Sequence, residues 1–295
     1  MNYFDNINQK YKQGSSVIKL IYINIAVFAL VKLIITFLLL FNTTETFLIS
    51  NLAIPADLNN LLLHAWTPLT YMFLHEGIFH ILFNMLTLYW FGKIFLMFFS
   101  DKQLVGLYLF GGLIAALFYV FAFNVFPYYS PLLHQSLLLG ASGSIMAIIV
   151  ATAFQAPNME IQLLIIGRIK LKFIAIVTVL MSLFGITSSN GGGELAHLGG
   201  ALAGYIFIVS LHQGKDLTKI FSRILDFLST IFKPRKLKVK YNNTGNKTRM
   251  SDAEFNATKA RKMAEIDKIL DKIKTSGYES LSAEEKKRLF EQGNK

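Results

Sequence analysis

A helix that crosses a bilayer needs about 20 mostly apolar residues, because its backbone must be paired internally through the whole hydrocarbon layer. This 295-residue chain supplies such runs six times, at about 17–41, 77–99, 103–123, 141–156, 171–188 and 195–212. The fourth is short and opens in glycine. The fold class that follows is an all-α polytopic membrane protein, a bundle of six transmembrane helices, and the 53% hydrophobic content agrees. The first run is too long for a signal h-region and lacks an A-x-A-like end, so it reads as a retained span. With no cysteine, disulfides, thiol catalysis and cysteine-ligated zinc are excluded. No cofactor or metal is expected.

Charge sets the orientation and the domain plan. Lys10, Lys12, Lys19, Lys102, Arg168, Lys170, Lys172 and the basic tail fall on one side of a six-span arrangement, while the opposite loops carry Glu45, Asp57, Glu76 and Glu194 and no Lys or Arg. The positive-inside rule makes the basic side cytoplasmic, with both termini there. Lys32 is the exception inside span one and is expected to snorkel or face the bundle. The formal net charge of +11 belongs mostly to the tail, since residues 213–250 hold 10 basic and 2 acidic side chains. A polybasic stretch directly after a span points to anionic lipid headgroups rather than nucleic acid. Leu217, Ile220, Phe221, Ile224, Leu228 and Ile231 recur at helical spacing there, which predicts an interfacial amphipathic helix. Ser251 with Glu254 and Ser282 with Glu285 are capping boxes, predicting a small helical hairpin over 251–295. The plan is thus 1–212, 213–250 and 251–295.

Polar groups are costly inside spans and therefore informative. His75, His80 and Asn84 stand at the start of span two, with His80 and Asn84 on one helix face. Gly140-Ala141-Ser142-Gly143 opens span four, where the flanking glycines clear the hydroxyl and the helix N-terminus leaves N–H groups for a developing oxyanion. His197 heads span six in Ala196-His197-Leu198-Gly199-Gly200-Ala201-x2-Gly204; His197, Ala201 and Gly204 share one face, a stripe that permits close helix packing. If spans four and six touch, His197 reaches Ser142 as a general base. Glu194, three residues earlier, is expected to be a solvated loop residue with no part in the chemistry. The first outer loop, with Trp66, is expected to lie in the interface.

In order and depth these motifs resemble those of the rhomboid family of intramembrane serine proteases, over about residues 17–212. Trp66 nine residues before His75, Leu82-Phe83-Asn84-Met85 and Tyr108-Leu109-Phe110-Gly111-Gly112 are similar too. The resemblance implies Ser142 as nucleophile, His197 as its base without a carboxylate partner, and His80 with Asn84 as oxyanion donors. The Ser142 N–H would be a further donor. His75, Gly140, Gly143, Met146, Gly199 and Gly200 are expected to support the site. It also implies transmembrane protein substrates and, from the bacterial relatives that carry a C-terminal helical domain like 251–295, a bacterial plasma membrane. Two residues depart from the family pattern. Thr67 stands where many relatives have Arg, which puts the usual anchoring of the outer loop in doubt. Met146 stands where an aromatic residue often supports the histidine, and a thioether is expected to pack there instead. Inactive relatives usually lack the serine or the histidine, and a transporter should show paired broken helices; neither description fits.

Overall fold

The computed structural model describes residues 14–44, 46–163, 167–232 and 251–293. The chain divides into two compact units, 1–233 and 234–295. Lys10, Lys12, Glu45 and the basic residues 233–250 lie outside the described residues.

Among the described residues of the first unit, four helices are long and apolar enough to cross a membrane: α1 (Ser16–Leu40), α5 (Ile78–Phe95), α6 (Asp101–Val125) and α9 (Gly191–His212). Two shorter apolar helices, α7 (Ser142–Gln155) and α8 (Leu171–Gly185), stand at the expected fourth and fifth spans. Their burial shows how the bundle is layered. Every residue of α7 from Gly143 to Ala153 is buried, and α5, α6, α8 and α9 all pack around it. On α1, by contrast, buried residues form only a stripe through Val17, Leu20, Asn24, Val31 and Ile35.

Lipid is as apolar as leucine, so such helices associate through packing and hydrogen bonds rather than by escaping water. Small residues supply the packing. A Cβ on Gly200 would meet the Gly143 carbonyl oxygen, and one on Gly204 the Ala147 carbonyl oxygen, so α9 lies against the α7 backbone along Gly200 and Gly204. The smooth stripe is this pair, where His197, Ala201 and Gly204 were expected. A Cβ on Gly199 would lie 2.9 Å from Ala115 Cα, so the next position fits α9 to α6.

The loop end opposite Lys102 and Arg168 holds short helices α2 (Thr46–Leu52), α3 (Leu58–Leu63) and α4 (Thr67–Thr70). Strand β1 (Ile54–Pro55) pairs antiparallel with β2 (Leu137–Leu138), a ladder too short to announce itself in the sequence. A second hairpin, β3 (Glu160–Leu163) with β4 (Gly167–Lys170), joins α7 to α8. Despite Thr67, the outer loop is well tied. Trp66 Nε1 donates to Asn51 O (2.7 Å), Thr70 Oγ1 to Leu52 O (2.6 Å) and Asn124 Nδ2 to Ala56 O (2.8 Å). Phe47, Leu62, Leu63 and Leu69 remain exposed, as an interfacial segment requires.

After α9, α10 (Lys219–Phe232) lies beside α6, with Phe221 against Phe110 and Lys102 paired to Asp226 at 2.8 Å. Ile220 and Ile224, two of the apolar positions in the expected pattern, are exposed beside Lys219 and Arg223.

In the second unit, α11 (Asp252–Ser276) begins at a capping box formed by Ser251 and Glu254, and ends at Gly277, whose φ of +76° favours glycine. Ser282 and Glu285 exchange the same pair of bonds ahead of α12 (Ala283–Gly293). Ile269 and Leu281 are its buried apolar residues among those described. Ion pairs Lys272–Glu285 and Arg288–Glu265 join the two helices, each at 3.0 Å.

Candidate active site

Ser142 is the first residue of α7, after Ala141. Fourteen residues make a helix of about 21 Å, well short of a hydrocarbon layer of about 30 Å. With its far end level with the basic hairpin β3–β4, α7 therefore starts its polar N-terminus below the opposite surface. The turn that delivers Ser142 is clamped from two sides. The Gly140 N–H donates to Tyr71 O (3.0 Å), and the Tyr71 hydroxyl donates to Gly112 O on α6 (2.6 Å). Gly140 itself has φ +127°, and a Cβ there would stand 3.1 Å from His80 Nε2. Only glycine meets both conditions. Tyr71 was not among the residues singled out, because a tyrosine in an amphipathic loop carries no signal of this role.

His197 is in the second turn of α9. Both it and Ser142 line a cavity of about 740 Å³ whose wall also includes His75, His80 and Asn84. No hydrogen bond joins Ser142 to His197 among the described residues; contacts of this kind commonly tighten only when substrate binds. Gly143, Gly199 and Gly200 do not line the cavity. Their part is to set the spacing of α6, α7 and α9 on which the meeting of Ser142 and His197 depends.

The expectation that Glu194 is a solvated loop residue fails. Helix α9 starts at Gly191, four residues before the expected span, so Glu194 sits in its first turn with a side chain only 22% exposed. Its Oε2 is 3.1 Å from His197 Nδ1, and Ser182 Oγ of α8 is 3.2 Å from the same nitrogen.

His80 and Asn84 occupy the first two turns of α5, and the Asn84 Nδ2 donates one bond to His80 O (2.9 Å). The amide keeps a second N–H for another acceptor. His75 precedes the helix and packs its ring edge-on to His80, 5.2 Å between centroids. It is buried, and neither ring nitrogen has a hydrogen bond of good geometry among the described residues. Burial, reinforced by the neighbouring His80, lowers its pKa to about 4.

The cavity wall also includes Gln135–Leu139 and the stretch from Ser188 into the first turn of α9 at Gly193, which contribute polar backbone and hydroxyls. Lys32 lines it as well, so the charge in span one faces the bundle interior. A second groove of about 370 Å³ reaches Ser142, His197, His80 and Asn84 sideways, between Phe79, Phe83 and Thr87 of α5 and Ile145, Met146 and Ile149 of α7. Met146 lines this groove together with His197. The cavity is lined by polar and apolar groups in about equal measure and the groove mostly by apolar ones, so the same hydroxyl is reached through two different surroundings.

Comparison with protein families gives two matches. A model described as the Rhomboid domain matches residues 63–214, and a family of unknown function, DUF6576, matches residues 251–295. Among curated proteins nothing matches the chain.

Proposed function

The chain belongs to the rhomboid family of intramembrane serine proteases, and on that premise we propose that Ser142 and His197 cleave single-span membrane proteins in or next to their transmembrane segment. The observation that carries the reading is that Ser142, His197, His80 and Asn84 all line both a cavity of mixed polar and apolar wall and a mostly apolar groove.

In this mechanism the substrate chain enters along the apolar groove. His197 Nε2 takes the Ser142 Oγ proton as the oxygen attacks the scissile carbonyl, and the C=O electron pair moves onto oxygen. His80, Asn84 and the Ser142 N–H donate to that oxyanion; losing one such donor typically costs about 2.7–4 kcal/mol of transition-state stabilisation. The C–N bond then breaks as the imidazolium passes its proton to the leaving amine, giving an acyl-serine. Water from the cavity, deprotonated by the same imidazole, attacks the ester and releases the new carboxyl end. Glycines around Ser142 suit small residues at the cleavage point.

The basic side of the bundle, both termini included, is assigned to the cytoplasm and the protein to a bacterial plasma membrane. Residues 213–250 contact anionic headgroups there, with the exposed apolar face of α10 in the interface. A fluorophosphonate reporter tests the nucleophile: the reconstituted protein should be labelled and Ser142→Ala should not. Equal labelling of both would reject the assignment.

A further inference from the structure

The reaction above needs His197 with its proton on Nδ1, so that Nε2 is free to receive one from Ser142. An isolated imidazole does not make that choice. Here the choice is built in, because an acceptor-only carboxylate stands 3.1 Å from Nδ1. Positions 194 and 197 are three apart in one helix, hence neighbours on its surface, and both side chains are 22% exposed. The surroundings hold the carboxylate in place. Ser182, itself buried, stands 3.2 Å from Nδ1 and also interacts with the Glu194 carboxylate. The last residue of α8 is Gly185, and a Cβ there would lie 2.8 Å from Glu194 Cγ and 3.1 Å from its Cδ. Any larger residue would push the carboxylate off its position.

We propose that Glu194 is a positioning residue for His197, fixing the Nδ1–H tautomer and ring orientation and stabilising the imidazolium as Nε2 takes the serine proton, with Ser182 and Gly185 holding the carboxylate. The arrangement is a serine–histidine–glutamate array inside a bundle, and Glu194 remains ionised throughout, so no proton is transferred to it. The inference rests on the reading of Ser142 and His197 as nucleophile and base.

Three full-length variants in liposomes with a single-span substrate test it: Ser142→Ala, Glu194→Gln and Gly185→Ala, each normalised to the amount of folded protein inserted. In a Ser-His-Asp enzyme the equivalent amide substitution lowers kcat by about 10⁴; with Ser182 retained and the pair partly wet, a fall on the order of 10–10²-fold is expected for Glu194→Gln. KM should change less than about twofold, because substrate binding is untouched. Gly185→Ala should lower kcat in the native background and have no further effect on Glu194→Gln.

An unchanged kcat in Glu194→Gln, or a loss of activity carried by KM alone, overturns the proposal. So does a Gly185→Ala effect of equal size in both backgrounds. Cleavage surviving in Ser142→Ala would instead overturn the assignment of the nucleophile itself.

Discussion

Gly200 of α9 faces the carbonyl oxygen of Gly143 so directly that a Cβ at position 200 would collide with it. Gly143 follows Ser142, so the closest approach of the two helices lies one residue from the hydroxyl. The separation of α7 and α9 therefore also sets the distance between Ser142 and His197, and packing and the proposed chemistry are tied at this point.

Replacing Gly200 by alanine should separate the helices. Overpacking a tight site costs about 1–3 kcal/mol, and the thermal unfolding midpoint in detergent should fall along with cleavage. Leu202→Ala, two positions along and 43% exposed, is the control and should change neither. Equal behaviour of the two variants would show that the contact does not govern the site.

The oxyanion assignment predicts a different kinetic pattern. His80→Ala and Asn84→Ala should each lower kcat by about 10²–10³-fold with little change in KM, since the interaction is made mainly in the transition state. Gly140→Ala should behave like His80→Ala, because its methyl group would press on the His80 ring while forcing a φ of +127° on a residue that rarely adopts it. A rise in KM at constant kcat would mean instead that these residues bind the substrate's ground state.

His75 predicts a pH dependence of stability. Its folded pKa is about 4, whereas an unperturbed histidine titrates near 6.5. Between those values the unfolded chain binds more protons than the folded one, so stability is full above about 6.5 and is lost as pH falls towards 4, by up to about 3 kcal/mol. Unfolding followed from pH 7.5 to 4.5 should show this decline, and His75→Leu should flatten it. Parallel curves for the two proteins would remove His75 as the source.

Most of the bundle is legible in the sequence because hydrophobic length is a direct consequence of the bilayer. Helices α1, α5, α6 and α9 are found where the long apolar runs lie, and α7 and α8 where the shorter ones do. Ser142 and His197 stand out for the related reason that polar groups are rare in such runs. The sequence pattern leaves Glu194 in a loop because Gly191-Gly192-Gly193 has poor helix propensity, about 1 kcal/mol per glycine relative to alanine. Close packing overrides that cost: Cβ atoms on Gly191 and Gly192 would meet Ile186 O and the Tyr119 ring, so the glycines let the helix begin early against its neighbours. Once α9 starts at Gly191, the spacing from Glu194 to His197 speaks for itself. The Tyr71 clamp and the pairing of Ile54 with Leu138 rest on contacts between distant segments, which no local pattern encodes.

The central claim is that one hydroxyl and one imidazole in this bundle cut a peptide bond at membrane depth. Purified protein reconstituted with a single-span substrate, with products mapped by mass spectrometry, tests it most directly. The account predicts one cut in or beside the transmembrane segment, made by the native protein and absent with Ser142→Ala and with His197→Ala, while both variants still insert and unfold cooperatively. Undiminished cleavage by either variant, or no cleavage of any single-span substrate by the native protein, would contradict it.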